Sequence, residues 1–358
     1  MKKQIKKFVF SHRRLKYMYT FMSNIKNEQF IDNVFKIKED PLLLKVSNRG
    51  NLYPNNYICE IKPVRTSEGF FAVFRRTLNG LFFSDYINAI PYIAYTPDFM
   101  YYEKEKINGT SNPFEYYFDP VSNILEKEIA QSKLVIEYSN GNNKLAESLN
   151  NNYGSFHHIP YYIQDEYIET MGNIMGKYIR LNKLTHKYIY DSISRVIHLK
   201  KTLAVHARGT DFRQQYKFHP NMVGADDYFP IIDEAIKDAG FQQIFLATDD
   251  NDILTQFKKR YNDLLVYYDD VFRGNSSEGI HTTNAHREHH HYLLGREVLR
   301  DMYTLASCDG FIAGMSQVSL ATRITKESFG KKFEYSKFID KGVAEKGKVY
   351  SLVYPLKR

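Results

Sequence analysis

Three apolar runs of this 358-residue chain each end in polar side chains that could bind a charged ligand. The runs cover residues 202–205, 241–247 and 309–314. The polar side chains that follow them are His206, Arg208 and Asp211, then Asp249 and Asp250, then Ser316 and Gln317. Ligands of open α/β sheets bind beyond the carboxyl ends of the parallel strands. We therefore expect these side chains to come together in one site.

Arg208 is the residue best suited to bind a phosphate. Its planar guanidinium matches two phosphate oxygens at once and stays charged at any relevant pH. The chain contains neither a Walker sequence nor a G-x-G-x-x-G turn, so a phosphate would need a side-chain cation. Arg208 could instead form a structural ion pair with Asp211, which would order the loop and orient the arginine. His206 is expected either to make a local, buried hydrogen bond or to hold a base edge.

Asp249 and Asp250 precede a predicted helix, so one of them should be its N-cap. The other would then be free to accept hydrogen bonds from a ligand, such as the two adjacent N–H donors of guanine. Asp250 and Asp252 also match the D-x-D pattern by which many sugar transferases bind a divalent metal. Asp252 falls in the first helical turn, however, where the helix dipole favours an acidic residue. The sequence thus favours a site without a metal.

Ser316 precedes the last predicted helix and is interpreted as its N-cap, which leaves helix N–H groups available to a phosphate. A nucleophilic role is disfavoured because the G-x-S-x-G elbow is absent. The histidine-rich segment 286–291 is interpreted as a surface or substrate-lip cluster. Its last three histidines are consecutive, whereas metal ligands on one side of a helix need a spacing of four residues.

Strands and helices alternate from residue 202 onwards, which predicts a doubly wound parallel sheet. The predicted strands cover 202–208, 243–248, 264–268 and 309–313. The predicted helices cover 227–239, 251–261, 295–307 and 316–326. We expect Asp226 or Asp227 to cap the first of these helices and Gly240 to end it.

The N-terminal half combines short strand-like runs with a helix predicted from Phe70 to Ile87, and Gly69 lies at its entrance. Helical periodicity dominates from 160 to 195. The predicted organisation is a basic lead-in at 1–40, an α/β domain at 41–190, a Rossmann-like domain at 191–335 and a tail at 336–358. The hinge between the two domains is expected near 185–200.

The composition is typical of a globular protein, with 43% hydrophobic residues and a net charge of +8. The charge is compatible with an anionic partner, but neither zinc-finger spacing nor an RNA-binding aromatic signature is present, so nucleic acid is disfavoured. Having only two cysteines, Cys59 and Cys308, favours a reducing, cytoplasmic compartment. No apolar run is long enough for a transmembrane helix. The basic N-terminus is expected either to contact an anionic membrane as an amphipathic helix or to be solvated.

Taken together, the motifs resemble those of the α1,6-fucosyltransferase and protein O-fucosyltransferase superfamily, which includes the nodulation-factor fucosyltransferases. In the C-terminal half, the similar segments are 206–211, 218–220, 246–250 and 316–318. In the N-terminal half, residues 112–122 are similar to the W-E-x-x-F-x-P-V-S stretch of that superfamily, and residues 69–93 to its glycine loop and following helix. The shared order and spacing of these motifs carry the resemblance.

The resemblance implies a GT-B fold, in which two Rossmann-like domains face a central cleft. It also implies a metal-independent, inverting transferase with no cofactor, which uses GDP-fucose and a glycan acceptor. Arg208 matches the arginine that binds the β-phosphate, and His206 and Asp249 match the pair that holds guanine. Six further residues are expected around the nucleotide: Asp211, Asp250, Ser316 and Gln317 from the C-terminal domain, and Gly69 and Phe70 from the N-terminal domain.

Departures from the superfamily pattern bear on the acceptor and the linkage more than on the donor. The α1,6 enzymes carry two successive arginines, and the second of these positions is Gly209 here. They carry a lysine where this chain has Phe212, and Arg213 is a candidate substitute. The acceptor hydroxyl would attack the opposite face of an oxocarbenium-like sugar, with Glu115 or Asp119 as the base.

Three other functions are open on the sequence alone. The donor could be another sugar nucleotide, such as GDP-mannose. The enzyme could be metal-dependent, of the GT-A type, with Asp250 and Asp252 as ligands. The chain could also bind a nucleotide or a glycan without turnover, which Gly209 leaves open. The basic N-terminus and a reducing interior fit an acceptor that is a bacterial surface polysaccharide or a lipid-linked oligosaccharide.

Overall fold

The computed structural model describes residues 46–65, 68–139, 165–197, 200–209, 219–274 and 287–347, with Arg213, Tyr216, Lys217 and six residues between 15 and 26. Most of the N-terminal segment that is predicted to contact a membrane lies outside these residues, as does Asp211. In the described part of the chain, no helix is both long and apolar enough to cross a bilayer.

The N-terminal unit contains a four-stranded sheet with the order β1-β4-β2-β3. Its strands are β1 (Val46–Ser47), β2 (Ile58–Lys62), β3 (Ile90–Ile93) and β4 (Val135–Ser139). β2 pairs in parallel with β3 and β4, while β1 pairs antiparallel with β4. Helix α1 (Phe70–Tyr86) connects β2 to β3, and a single-turn helix α2 (Glu126–Ile129) precedes β4. A methyl group at Gly80 of α1 would lie 2.6 Å from Ile61, so α1 packs closely on this sheet.

The C-terminal unit contains a five-stranded, entirely parallel sheet with the order β7-β6-β5-β8-β9. Its strands are β5 (Thr202–Ala207), β6 (Gln243–Thr248), β7 (Leu265–Val266), β8 (Gly310–Gly314) and β9 (Tyr335–Ile339). β5, β6 and β8 are buried along their whole length, as expected for parallel strands with helices on both faces. The α/β fold class with two such units, which the sequence predicts, is confirmed.

Helices alternate with the strands of this second sheet. They are α5 (Ala225–Ala239), α6 (Asn251–Tyr261), α7 (His290–Ser307) and α8 (Gln317–Ser328). Gly240 ends α5 in the left-handed conformation with a φ of 68°, as predicted. The prediction that Asp226 or Asp227 is the N-cap of α5 is wrong. Gly224 is the N-cap, and Asp227 lies in the first turn, where its carboxylate accepts the Gly224 N–H.

Two helices, α3 (Asp165–Tyr178) and α4 (Lys183–Val196), lie between the sheets in sequence. α3 packs against both α1 and α8. A methyl group at Gly172 of α3 would lie 2.6 Å from Glu327 of α8, so the two backbones approach closely at this point. One core of buried apolar residues extends across the units, from Phe74 of α1 through Met171 of α3 to Leu320 of α8.

Two boundaries differ from the predictions. β9 continues to Ile339 and pairs with β8, whereas the sequence predicts a tail at 336–358. β9 is an edge strand whose residues are half-buried or exposed, so it lacks the continuous apolar run that marks the central strands. Helix α7 begins at His290 instead of the predicted residue 295, since its first turn is rich in histidine and carries no capping signal.

Candidate functional site

The carboxyl ends of β6, β5 and β8 lie side by side in the C-terminal sheet. His206 of β5 is in register with Ala247 of β6 on one side and with Ala313 of β8 on the other. The three groups of polar residues that follow these strands in sequence therefore meet at one edge of the sheet. This is the arrangement that the sequence predicts, and it makes this edge the candidate functional site.

Arg208 follows β5 and is held by the carboxylate at the end of β6. Its Nη1 lies 2.7 Å from Oδ2 of Asp249, and Oδ1 of the same carboxylate accepts the Gly209 N–H at 2.9 Å. The arginine side chain is 24% exposed, so part of the guanidinium still faces solvent. The prediction of a free Asp249 carboxylate is wrong, because both of its oxygens bind the β5 end. Asp249 thus fixes the position of the one cation that best suits a phosphate.

Asp250 is the N-cap of α6, as one of the two predicted alternatives requires. Its Oδ1 accepts the N–H groups of Asp252 and Ile253, and its Oδ2 accepts Nε of Arg213 at 2.9 Å. Arg213 also binds Asp252 at 2.9 Å. The hydrogen bond to Asp250, ahead of the other effects, raises the pKa of Arg213. One arginine therefore contacts both carboxylates of the D-x-D pattern, and its single positive charge offsets one of their two negative charges.

The packing around Gly209 explains why this position does not carry the second arginine of the pattern that the sequence resembles. A methyl group at this position would lie 2.3 Å from Cβ and from Oδ2 of Asp250, which is itself buried. No side chain fits without displacing the N-cap of α6. The cation that reaches Asp250 comes instead from Arg213, four residues further along.

His206 is buried and joins the end of β5 to the start of α8. Its Nδ1 lies 3.3 Å from Oγ of Ser319 and 3.4 Å from Oγ of Ser316. Ser316 is the N-cap of α8, as predicted, and accepts the Ser319 N–H. Burial, followed by the charge of Arg208, lowers the pKa of His206 to about 4. The ring is therefore neutral at pH 7 and acts as a hydrogen-bonding group, not as a cation.

α8 and α1 pack against each other at the seam between the two units. Gln317, the first residue of α8, and Phe71, in the first turn of α1, line the same small cleft. Oε1 of Gln317 is buried and accepts no hydrogen bond from the described residues. The N-terminus of α8 lies at the carboxyl edge of the C-terminal sheet, because α8 directly follows β8. Free N–H groups at such termini favour an anion.

Gly69 and Phe70 are placed differently from one another. Gly69 is the N-cap of α1, and a methyl group added there would meet no atom within 4 Å, so space is open beside it. The ring of Phe70 is buried and lies 5.2 Å from that of Phe71 and 5.4 Å from that of Tyr101. The Phe70 N–H donates to the Tyr101 hydroxyl at 3.3 Å, so both the ring and the backbone N–H of Phe70 are used within the fold and fix the start of α1 in the core.

The two candidate bases belong to the loop between β3 and α2. Glu115 is half-buried, and its carboxylate accepts hydrogen bonds from Thr110 at 2.7 Å and from Asn112 at 3.2 Å. Asp119 is exposed, and its backbone N–H bonds to Arg180. The structure brings neither carboxylate into contact with the residues at the strand ends. Glu115 has a structural function in the loop, which its position in a motif did not indicate.

Two residues that support the site, Ser319 and Arg273, are not among those predicted from the sequence. Ser319 lies three residues after the N-cap of α8, and a hydroxyl at that spacing is a weak signal that could have suggested a contact. Arg273, in the loop after β7, donates to the carbonyls of Thr248 and Tyr268. Gly274 donates to the carbonyl of Asp249, so this loop holds the end of β6 in place.

The consecutive histidines do not form a metal centre in the described part of the chain. His289 is the N-cap of α7, and His290 accepts from Arg287 through Nδ1 at 2.9 Å. Arg287 in turn binds Glu297. Among the described residues, no group of three or more His, Cys, Asp or Glu side chains is arranged to hold a metal ion.

Solved structures of fucosyltransferases are similar to this chain in fold. A NodZ α1,6-fucosyltransferase soaked with GDP-fucose has a TM-score of 0.45 and 15% identity, over 75% of this chain and 92% of that one. NodZ from Bradyrhizobium gives 0.42 and 15%, over 76% and 91%. POFUT1 in complex with GDP gives 0.40 and 11%, over 80% and 99%. No protein-family model and no curated protein matches the chain. Each of these three TM-scores is below 0.5, so the similarity does not assign the chemistry of this chain.

Proposed function

We propose that the chain is a glycosyltransferase that moves a sugar from a sugar nucleotide to a glycan hydroxyl. The proposed donor is GDP-fucose and the proposed outcome is inversion, because the residues at the ends of β5, β6 and β8 resemble the motifs of the fucosyltransferase superfamily. No cofactor or metal is part of the proposal. Cys59 and Cys308 are buried and free, which is compatible with the proposed cytoplasmic location. Contact of the basic N-terminus with an anionic membrane stays a prediction.

The observation that carries the proposal is the partly exposed guanidinium of Arg208 at the carboxyl edge of the sheet, anchored by Asp249. In the proposed reaction, the bond between the sugar carbon and the β-phosphate oxygen breaks, and its electron pair stays on that oxygen. Arg208 and the N–H groups at the start of α8 would stabilise this charge. Since Asp249 and the Gly209 backbone already hold the arginine, little reorganisation would be needed during the reaction.

The remaining steps concern the acceptor. Its hydroxyl oxygen forms the new bond on the opposite face of the sugar, and its proton passes to a carboxylate. Asp119 and Glu115 are the candidates for this base. Asp119 is the more available of the two because it is exposed, whereas Glu115 already accepts two side-chain hydrogen bonds. Replacement of each by its amide, with transfer measured separately from donor hydrolysis, assigns the role.

Arg213 supports a reaction that does not depend on a metal. A divalent ion at Asp250 and Asp252 would have to displace this guanidinium from both carboxylates. Oδ1 of Asp250 would also have to leave the N–H groups that it caps at the start of α6. Neither change is needed if the nucleotide diphosphate is bound by Arg208 and by helix N–H groups.

The decisive experiment compares Arg208→Ala with Arg195→Ala, an exposed arginine on α4 that serves as a control for the loss of one charge. Binding of GDP is measured as a rise in Tm, and donor turnover as the release of GDP from GDP-fucose with EDTA present. We expect Arg208→Ala to lower turnover by about 10²–10³-fold and to remove most of the GDP-dependent rise in Tm. Arg195→Ala should change neither quantity.

Each alternative function gives a different result in this experiment. Release of GDP from GDP-mannose but not from GDP-fucose would reassign the donor sugar. Loss of turnover in EDTA and its recovery with manganese would favour the metal-dependent type. A GDP-dependent rise in Tm without release of GDP from either donor would show a nucleotide-binding protein without turnover. An unchanged Tm with GDP in the wild type would overturn the proposed nucleotide site itself.

A further inference from the structure

On one face of α7, arginine and tyrosine side chains form a continuous stack with Tyr188 of α4. Arg296 lies 4.1 Å from the ring centre of Tyr188 and 5.6 Å from that of Tyr292. Arg300, one turn later, lies 5.1 Å from Tyr188 and 3.8 Å from Tyr268. The four-residue spacing of Tyr292, Arg296 and Arg300 places them on the same side of the helix. These five residues are called the arginine–tyrosine stack below.

The two arginines of the stack differ in how their charges are matched. Arg300 forms a two-pronged ion pair with Asp270, at 2.9 and 2.5 Å, and its side chain is only 3% exposed. Arg296 is half-buried, and no hydrogen bond or ion pair joins its guanidinium to any other described residue. Its Nε is fully buried and has no partner among them. Nε of Arg300 is likewise buried without a partner among the described residues, so the two arginines differ in their Nη groups, which bind Asp270 in Arg300 and no other described residue in Arg296.

The aromatic contacts of Arg296 leave its hydrogen-bonding edge available. A ring face attracts a guanidinium through its π-electrons, while the N–H groups point outward in the guanidinium plane. Those N–H groups match the oxygens of a carboxylate or a phosphate in pairs. The two flanking tyrosines are half-buried, and their ring faces are covered by the two arginines and by Tyr117, so a sugar would meet their edges and hydroxyl groups. A partly desolvated cation whose Nη groups bind no other described residue is the kind of group that binds an anionic sugar.

The arginine–tyrosine stack is connected to the start of α1. The Tyr292 N–H donates to Glu103 at 3.1 Å, and the Tyr117 hydroxyl donates to the Tyr292 carbonyl at 3.0 Å. The Tyr117 ring lies 5.5 Å from that of Tyr292 and 5.2 Å from that of Phe70, the first residue of α1. Arg296 is thus linked through Tyr292 and Tyr117 to the first residue of α1 in the N-terminal unit.

We propose that Arg296 is a binding subsite for a carboxylate or phosphate group of an acidic glycan, with Tyr188 and Tyr292 against the adjoining sugar. As an acceptor subsite, the inference rests on the proposed function. The binding of the anionic sugar does not depend on it and is measured independently. The net charge of +8 favours an acidic partner over a neutral one.

The test uses pairs of oligosaccharides that differ only in charge. Trigalacturonate is compared with its methyl ester, and a trimannoside phosphate with the unmodified trimannoside, by surface plasmon resonance on immobilised protein. We expect the wild type to bind at least one acidic member about tenfold more tightly than its neutral partner. Arg296→Gln should lose that preference, whereas Arg195→Gln, which removes a charge from the exposed face of α4, should keep it. Equal affinity within both pairs, or a preference that survives in Arg296→Gln, would overturn the inference.

Two further measurements separate binding from folding and from the nucleotide site. Arg296→Lys keeps the stem and the charge but loses the planar fork, so we expect it to fold and to show a several-fold weaker preference. A lower affinity for acidic and neutral sugars alike would indicate a structural role and contradict the inference. Arg208→Ala should retain the preference for the acidic sugar even though it no longer binds GDP. Binding to phosphatidylglycerol vesicles without binding to either acidic sugar would assign Arg296 to a membrane surface and would also overturn it.

Discussion

The carboxyl edge of the C-terminal sheet and the loop at 110–119 each contain two candidate carboxylates, and they hold them in different ways. At the sheet edge, Asp249 and Asp250 are each matched by an arginine and also bind backbone N–H groups. In the loop, Glu115 binds only neutral side chains, and Asp119 is exposed. These ion pairs and backbone hydrogen bonds already fix the positions of the arginines at the edge. An anionic ligand could therefore bind one of them without rearranging the site. The loop offers no comparable cation, so it is suited to a neutral hydroxyl and not to a nucleotide.

The largest effect is expected from adding a methyl group to Gly209 at the sheet edge, with Gly69 at the start of α1 as the control. Gly209→Ala places Cβ 2.3 Å from the buried Asp250, so we expect a loss of about 3 kcal/mol in the free energy of unfolding. Gly69→Ala meets no atom within 4 Å and should cost less than about 1 kcal/mol. Urea denaturation measures both values. Equal losses for the two variants would show that the sheet edge is not the more rigidly packed region.

The acid sensitivity of the sheet edge should come from His206. Its pKa in the folded chain is about 4, below the ordinary 6.5, so the folded state binds fewer protons than the unfolded state between these values. The stabilisation is therefore present above pH 6.5 and is lost as the pH falls through 4, by roughly 3 kcal/mol in total. We expect His206→Asn to flatten the curve of unfolding free energy against pH in this window. The exposed His186 on α4 is the control, and His186→Asn should leave the slope unchanged.

Removing one charge from each region while keeping the shape of the side chain gives a smaller effect. Asp249→Asn should weaken GDP binding by about tenfold, because Arg208 loses its charged anchor. Glu115→Gln should leave GDP binding within about twofold, since no cation depends on this carboxylate. Isothermal titration with GDP measures both. If Asp249→Asn binds GDP more tightly, the ion pair competes with the nucleotide and does not position Arg208.

The same contrast explains how much of the site the sequence reveals. The meeting of three strand ends follows from alternating strands and helices, and the cap formed by Asp250 follows from its place before α6. The pairing of Asp249 with Arg208 does not follow, because it depends on the register of two strands whose residues are about 40 positions apart. The use of Glu115 within its own loop is likewise invisible, since a motif fixes the order of residues but not their partners. The sequence does not predict β9, because an edge strand lacks the continuous apolar run by which the central strands are found.

The smallest expected effect comes from a test of whether Arg213 or a metal ion binds the carboxylates at the start of α6. Asp252 is 61% exposed and touches Arg213 at 2.9 Å, so Asp252→Asn should change the free energy of unfolding by less than about 1 kcal/mol. We expect donor turnover in EDTA to stay within about twofold of the wild type, because Arg213 keeps its contact with the buried Asp250. Release of GDP from the donor, measured with and without manganese, checks this. A drop of more than tenfold that manganese partly restores would mean that both carboxylates bind an ion, and the matched charges at the sheet edge would then be a resting arrangement that the metal displaces.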